Sequence, residues 1–129
     1  MRPTAVDAIV LRNGKVLLVR REFPPFKNHW AIPGGFVEAD ESVEEAVVRE
    51  TYEETGMKVK VLSLVGVYSN PRRDQKRGTI AIAFLVRPLS RRIRGSIETS
   101  EVKWFKLNRL PKLAFDHARI IKDAKEVLR

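Results

Sequence analysis

The chain has 129 residues, of which 25 are Lys or Arg and 16 are Asp or Glu, for a formal net charge of +9. That length supports one hydrophobic core but not two, so residues 1–129 are read as a single domain. The absence of cysteine excludes a disulfide framework, a thiolate metal site and a thiol nucleophile, and no apolar run is long enough to span a membrane. In chain order, residues 4–11 and 15–20 are strand-like runs joined by Asn13-Gly14, a strong short hairpin signal. Residues 22–34 hold three prolines and several aromatics and read as an irregular loop entering a short strand. Ser42 followed by Glu45 forms a capping box that opens a helix, and Gly56 supplies a left-handed stop. Strands are expected near 58–69 and 78–87, separated by the polar loop NPRRDQKRG. Thr79–Val86 is apolar on both alternating faces, so that strand should be covered on both sides. A short strand near 102–106 precedes a last helix capped by Asp116, with Ala118, Ile121, Ala124 and Leu128 as its apolar stripe. Strands buried on both faces, together with two helices, imply an α/β/α architecture around a mixed sheet.

The N-terminus carries Asp7 inside its apolar stretch and lacks a small-residue cleavage site, which argues against a signal peptide; a cytoplasmic protein is expected. Charge is unevenly distributed. Eight carboxylates (Glu38, Asp40, Glu41, Glu44, Glu45, Glu50, Glu53 and Glu54) share residues 38–54 with a single base, Arg49. At 100° per residue Glu50 and Glu54 lie on one helix face, and Glu53 is about 60° from Glu50. In a partly buried cleft, two such charges about 5 Å apart repel by roughly 3 kcal/mol at an effective dielectric of 20. A solvated acidic helix end is one reading. A divalent cation that offsets the repulsion is the other, and all-oxygen donors favour Mg²⁺ or Mn²⁺.

Gly35, then Glu41, then Arg49-Glu50-Thr51-Tyr52-Glu53-Glu54-Thr55-Gly56-Met57 resembles the signature of the Nudix hydrolases. One position departs from it: Thr51 stands where an aliphatic residue is usual. The resemblance implies a Nudix-type α/β/α sandwich with a catalytic loop-helix-loop and a C-terminal helix. It also implies Mg²⁺-dependent (or Mn²⁺-dependent) water attack on a nucleoside diphosphate linked to another group. Carried over by position, Glu50, Glu53, Glu54 and the carbonyl of Gly34 are the metal ligands. Arg49 orients glutamates, with Glu53 as its i,i+4 partner, and Glu41 braces the loop–helix junction or binds a second metal through water. The general base is either a helix glutamate or a late-loop acid, Glu98 or Glu101, with Glu98 preferred.

Three further segments resemble the ADP-ribose pyrophosphatases: Asn70-Pro71 with Arg73-Asp74 and Arg77-Gly78, Leu113-Ala114-Phe115-Asp116-His117, and Val6-Asp7. The implied reaction converts ADP-ribose to AMP and ribose 5-phosphate. Other nucleoside diphosphate derivatives, such as a nucleoside triphosphate, an oxidised nucleotide or a dinucleotide polyphosphate, are the alternative. A non-catalytic nucleotide or RNA binder is a further one. Arg73 and Arg77, with Arg72 and Lys76, suit a diphosphate or terminal ribose, as do Arg20 and Arg21. Trp30, with Phe23 and Phe26, is placed as a stacking wall for adenine or as a packing contact, and His117 as a packing or capping residue. The implied partners are a nucleotide-sugar substrate and a second copy in a homodimer; neither a membrane nor a nucleic acid is expected.

Overall fold

The computed structural model describes residues 1–74, 77–95 and 99–128. Strands β1 (Thr4–Arg12) and β2 (Lys15–Arg21) form the expected hairpin. Asn13 and Gly14 turn it with φ of 51° and 74°, the two positive angles that a two-residue turn matched to strand twist demands. The segment expected as a loop contains β3 (Trp30–Ala31) and leads at once into β4 (Gly34–Phe36). Helix α1 (Val43–Thr55) follows, then β5 (Val59–Tyr68), β6 (Ile80–Pro88), β7 (Thr99–Lys106) and helix α2 (His117–Val127).

β1 is the hinge of the sheet. It runs parallel to β6 from Thr4↔Ile80 to Val10↔Val86, and β6 pairs antiparallel with β5 at one edge. On its other side β1 is shared: its start pairs with β4 through Asp7↔Gly34, and its end pairs with β2 through Arg12↔Lys15. β2 in turn carries β3 and β7. Splitting β1 between two partners brings the Gly34 backbone alongside the middle of the sheet.

Side-chain alternation along the strands sorts the core into two layers. Val6, Ala8, Val10, Phe84 and Val86 pack with Ala46 and Val47 of α1. Their sequence neighbours Ile9, Ala81, Ala83 and Leu85 pack on the opposite face with Ile120, Ile121 and Ala124 of α2. The α/β/α order is therefore as expected, and β6 is apolar from Ile80 to Val86 because it faces a helix on each side.

Two expectations fail at α2. Its buried residues are His117, Ile120, Ile121 and Ala124, so the helix is rotated from the anticipated stripe; Ala118 is exposed and Leu128 is 56% exposed. Asp116 occupies the N-cap position but makes no side-chain cap bond. Its carboxylate is taken by Arg73, which donates to it twice, at 2.8 and 2.6 Å. A bidentate charge-assisted pair outcompetes a single bond to a helix N–H.

Candidate active site at the end of helix α1

The site grows from the local rules that shape α1. Ser42 and Glu45 close the capping box, at 3.0 Å from the Glu45 N–H to the Ser42 hydroxyl and 2.9 Å from the Ser42 N–H to the Glu45 carboxylate. Gly56 ends the helix at φ 73°, and its N–H donates to the Tyr52 carbonyl. Between these stops the buried face carries Ala46, Val47, Thr51, Glu54 and Thr55. Thr51, the departure from the aliphatic pattern, is fully buried and donates its hydroxyl to the Val47 carbonyl at 2.7 Å. The hydroxyl is satisfied within its own helix, which lets a polar residue stand in an apolar seat.

Arg49 gathers the carboxylates. It donates to both oxygens of Glu41 (2.9 and 2.5 Å), to Glu50 (2.7 Å), to Glu53 (2.7 Å) and to the Phe36 carbonyl (3.1 Å). The Glu41 carboxyl is held down at about 2, first by its hydrogen bonds from Arg49 and then by the Glu38 backbone N–H. The Arg49 guanidinium is pushed above its usual range, chiefly by Glu41. Glu41 thus ties the loop before α1 to the helix, the brace anticipated for it.

Glu54 takes a different direction. It is only 9% exposed, and its Oε1 accepts the Gly34 N–H at 2.7 Å. Glu50 lies against the neighbouring residue: a Cβ on Gly35 would sit 2.1 Å from Glu50 Oε2, and one on Gly34 would sit 2.1 Å from the Val6 carbonyl. Gly34 is therefore required by the close approach of backbone, whereas a side chain at Gly35 would displace the Glu50 carboxylate. Among the described residues no His, Cys, Asp or Glu trio converges on a single metal-sized point. Glu50 and Glu53 turn toward Arg49, while Glu54 turns to the backbone. The donor chemistry nonetheless fits a hard dication, since every group is a carboxylate or carbonyl oxygen and β4 leaves room for Glu50 to press on the chain.

A matching family model, described as NUDIX domain, covers residues 1–124. The chain belongs to the NUDIX domain family. It is 51% identical over 119 residues to an ADP-ribose pyrophosphatase of Methanocaldococcus jannaschii, a match covering 92% of this chain and 70% of that protein. It is 36% identical to a putative 8-oxo-dGTP diphosphatase of Bacillus subtilis, over 80% of this chain and 66% of the other. Among solved structures it resembles the NUDIX domain of Shewanella oneidensis NrtR in complex with ADP ribose. That likeness has a TM-score of 0.89 and 30% identity, covering all of this chain and 90% of the other. It also resembles an ADP-ribose pyrophosphatase of Streptococcus suis, with a TM-score of 0.83 and 27% identity over all of this chain and 93% of the other.

The residues expected on the substrate side of this Nudix hydrolase divide into groups. Arg77 lies over the Phe36 ring at 5.3 Å, next to the Arg49 contact at the end of β4. Arg20 and Trp30 are cross-strand partners on β2 and β3, and Arg20 forms an ion pair with Glu101 at 3.1 Å. Arg21 donates to the Pro25 carbonyl at 2.7 Å and lies 5.0 Å over the Phe115 ring. Trp30 packs edge-on against Phe105 at 4.7 Å, and Phe26 against Phe115 at 4.9 Å, so both have packing duties. Phe23 is 54% exposed. Arg73 stands apart: its side chain is 7% exposed and committed to Asp116. Glu98 lies outside the described residues, as does Lys76.

One assembly was hardly visible in the sequence. His117 is buried and accepts the Ile32 N–H on Nδ1 at 3.0 Å, so the imidazole proton sits on Nε2, which faces Asp7 Oδ1 at 3.9 Å. Burial pushes the Asp7 carboxyl up to about 7, against the pull of Arg73 and with a push from Asp116. Burial likewise pushes the His117 imidazole down to about 3. The start of α2 thus holds the backbone two residues ahead of Gly34 from beneath the sheet. The available signals were Asp7, a polar residue inside an apolar strand, and His117, placed as a packing or capping residue.

Proposed function

We propose that this chain hydrolyses ADP-ribose to AMP and ribose 5-phosphate. The observation that carries the reading is the carboxylate assembly on α1. Arg49 gathers Glu41, Glu50 and Glu53, and Glu54 is fastened to the Gly34 N–H. Similarity to ADP-ribose enzymes over most of the chain supports the choice of substrate.

Glu50, Glu53, Glu54 and the Gly34 carbonyl would hold Mg²⁺, with Mn²⁺ as a substitute. Bound there, a dication polarises the diphosphate oxygens and lowers the pKa of the attacking water. The water oxygen forms a new bond to phosphorus as the bridging P–O bond of the diphosphate breaks. Its proton passes to a carboxylate, for which Glu98 is the preferred acceptor, with Glu101 or the helix glutamates Glu53 and Glu54 as alternatives. Arg49 keeps Glu50 and Glu53 from swinging into solvent, which is positioning in advance of the reaction. Arg77, Arg20 and Arg21 would steer the phosphates, and Trp30 would offer an edge to the adenine. Arg73 serves the substrate indirectly, by fixing the loop that carries Arg77.

A ligand that binds only the folded state raises stability by mass action. Saturating Mg²⁺ with a non-hydrolysable ADP-ribose analogue should therefore raise the melting temperature by more than either alone. No shift with the pair would count against this site.

A further inference from the structure

The Gly34 carbonyl owes its direction to strand register. β4 pairs with β1 through Ala5↔Phe36 and Asp7↔Gly34. The flanking bonds run from the Val37 N–H to the Thr4 carbonyl at 3.0 Å and from the Ala8 N–H to the Pro33 carbonyl at 2.8 Å. Alternate residues of an antiparallel strand turn their backbone groups toward and away from the partner. Gly34 and Phe36 therefore face away from β1, which is why the Gly34 N–H reaches Glu54 and the Phe36 carbonyl accepts from Arg49. Yet β4 is three residues long, two of them glycine, and among the described strands it pairs only with β1. So short a strand leaves the place of Gly34 to the segment that feeds it.

That segment is held from both edges. On one side Ala31 is the cross-strand partner of Val19 on β2. On the other, Trp30 bridges in parallel to Leu113: its N–H donates to the Lys112 carbonyl at 3.1 Å, and its carbonyl accepts the Ala114 N–H at 2.8 Å. A parallel ladder would continue with the Ile32 N–H on the Ala114 carbonyl. The chain instead turns at Phe115, with φ 51°, and the Ala114 carbonyl takes the His117 N–H at 3.2 Å. The imidazole fills the missing rung, its Nδ1 accepting the Ile32 N–H at 3.0 Å. Positive φ is costly for a bulky residue and persists only where the surroundings hold it. Here Phe26 packs against the Phe115 ring at 4.9 Å, Arg21 lies over it at 5.0 Å, and Arg73 fastens the neighbouring Asp116 twice.

We infer that His117 is a positioning residue for the metal, fixing where the Gly34 carbonyl stands through its bond to the Ile32 N–H. The inference rests on the reading of Gly34 as a metal ligand. Only Pro33 separates Ile32 from Gly34, and its ring fixes φ, so a displacement at Ile32 is passed on to Gly34. The far side of the imidazole adds a second contact. Nε2 faces Asp7 Oδ1 at 3.9 Å, and the same oxygen would lie 2.5 Å from a Cβ on Gly34. One ring thus bears on the chain ahead of Gly34 and on the side chain packed against it. Groups that orient a ligand without touching the metal typically govern about ten- to a hundredfold in metal affinity.

The test is Mn²⁺ binding to the full chain without substrate, read from the electron paramagnetic resonance signal of free Mn²⁺. It compares wild type, His117→Asn, His117→Leu and Tyr68→Phe. Asparagine carries an amide oxygen close to where Nδ1 stands and keeps the rung, whereas leucine has no acceptor. Tyr68→Phe is the control for a loosened α2, since the Tyr68 hydroxyl donates to Asp123 further along that helix, at 2.6 Å. His117→Leu should weaken Mn²⁺ binding by at least about tenfold, and the Mg²⁺ concentration for half-maximal hydrolysis should rise with it. His117→Asn and Tyr68→Phe should stay close to wild type. Should His117→Leu fail to fold, His117→Gln takes its place, because its longer side chain carries the amide past the Ile32 N–H toward Asp7. Unchanged Mn²⁺ affinity without the rung would overturn the inference while leaving the metal site standing. So would a loss in His117→Asn or Tyr68→Phe equal to that in His117→Leu. A wild type that binds no Mn²⁺ would overturn the metal site and the inference with it.

Discussion

Glu54→Gln separates the two duties that the structure gives this carboxylate. Its Oε1 accepts the Gly34 N–H at 2.7 Å in a position only 9% exposed. A glutamine oxygen can accept the same bond, at neutral rather than charge-assisted strength, so the loss is about 1 kcal/mol. Relief of repulsion from Glu50 and Glu53 offsets part of that. At about 2.1 cal/mol/K of unfolding entropy per residue, 129 residues correspond to roughly 4 °C per kcal/mol. The Gln variant should therefore melt within about 4 °C of wild type. Glu54→Ala strands the Gly34 N–H and leaves a cavity, for a loss of about 2–4 kcal/mol and roughly 8–16 °C. Turnover should fall at least a hundredfold in both variants, which is about 2.7 kcal/mol of lost transition-state stabilisation. Initial rates at saturating Mg²⁺ and substrate, set beside melting curves, read both effects. Near-normal turnover in the Gln variant would refute the assignment of Glu54 to the metal, and a Gln variant as unstable as Ala would refute the hydrogen-bond account.

Arg49→Lys keeps the charge but cannot bond Glu41 through two nitrogens while also reaching Glu50 and Glu53. It should lower kcat at least tenfold and the melting temperature by several degrees; an unchanged kcat would show that the glutamates hold their places without it. Asp7 and His117 make opposing contributions to the pH dependence of stability. Asp7, raised from 3.8 to about 7, contributes stability that is present below 3.8 and lost as pH rises through 7. His117, lowered from 6.5 to about 3, contributes stability that is present above 6.5 and lost as pH falls toward 3. Between about pH 4 and 6.5 the two slopes cancel. Asp7→Asn should expose the His117 slope, a loss on acidification of up to about 1.4 kcal/mol per pH unit, and His117→Asn should expose the opposite slope. Denaturant titrations across that range would show it, and slopes indistinguishable from wild type in both variants would contradict the buried pairing.

The parts of the fold that were legible in the sequence are those set by local chemistry. Asn13-Gly14, Ser42 with Glu45, and Gly56 each fix a backbone conformation by themselves, and the elements they bound appear where expected. The α1 carboxylates were equally legible, because their spacing on one helix is a property of the sequence. What could not be read depends on partners distant in the chain. Asp116 looked like a cap until Arg73, 43 residues away, took its carboxylate. The stripe on α2 was misplaced because His117, a polar residue, turns inward to meet Ile32 and Asp7. Arg73 and Arg77 looked alike in one basic loop, yet folding buries the first and leaves the second beside Phe36.

The most direct measurement is Mg²⁺-dependent hydrolysis of ADP-ribose, NADH, 8-oxo-dGTP and a dinucleotide polyphosphate, with products separated by chromatography. The account predicts that ADP-ribose is turned over fastest, that the products are AMP and ribose 5-phosphate, and that chelation of the metal stops the reaction. Turnover of another member with ADP-ribose left intact would contradict it.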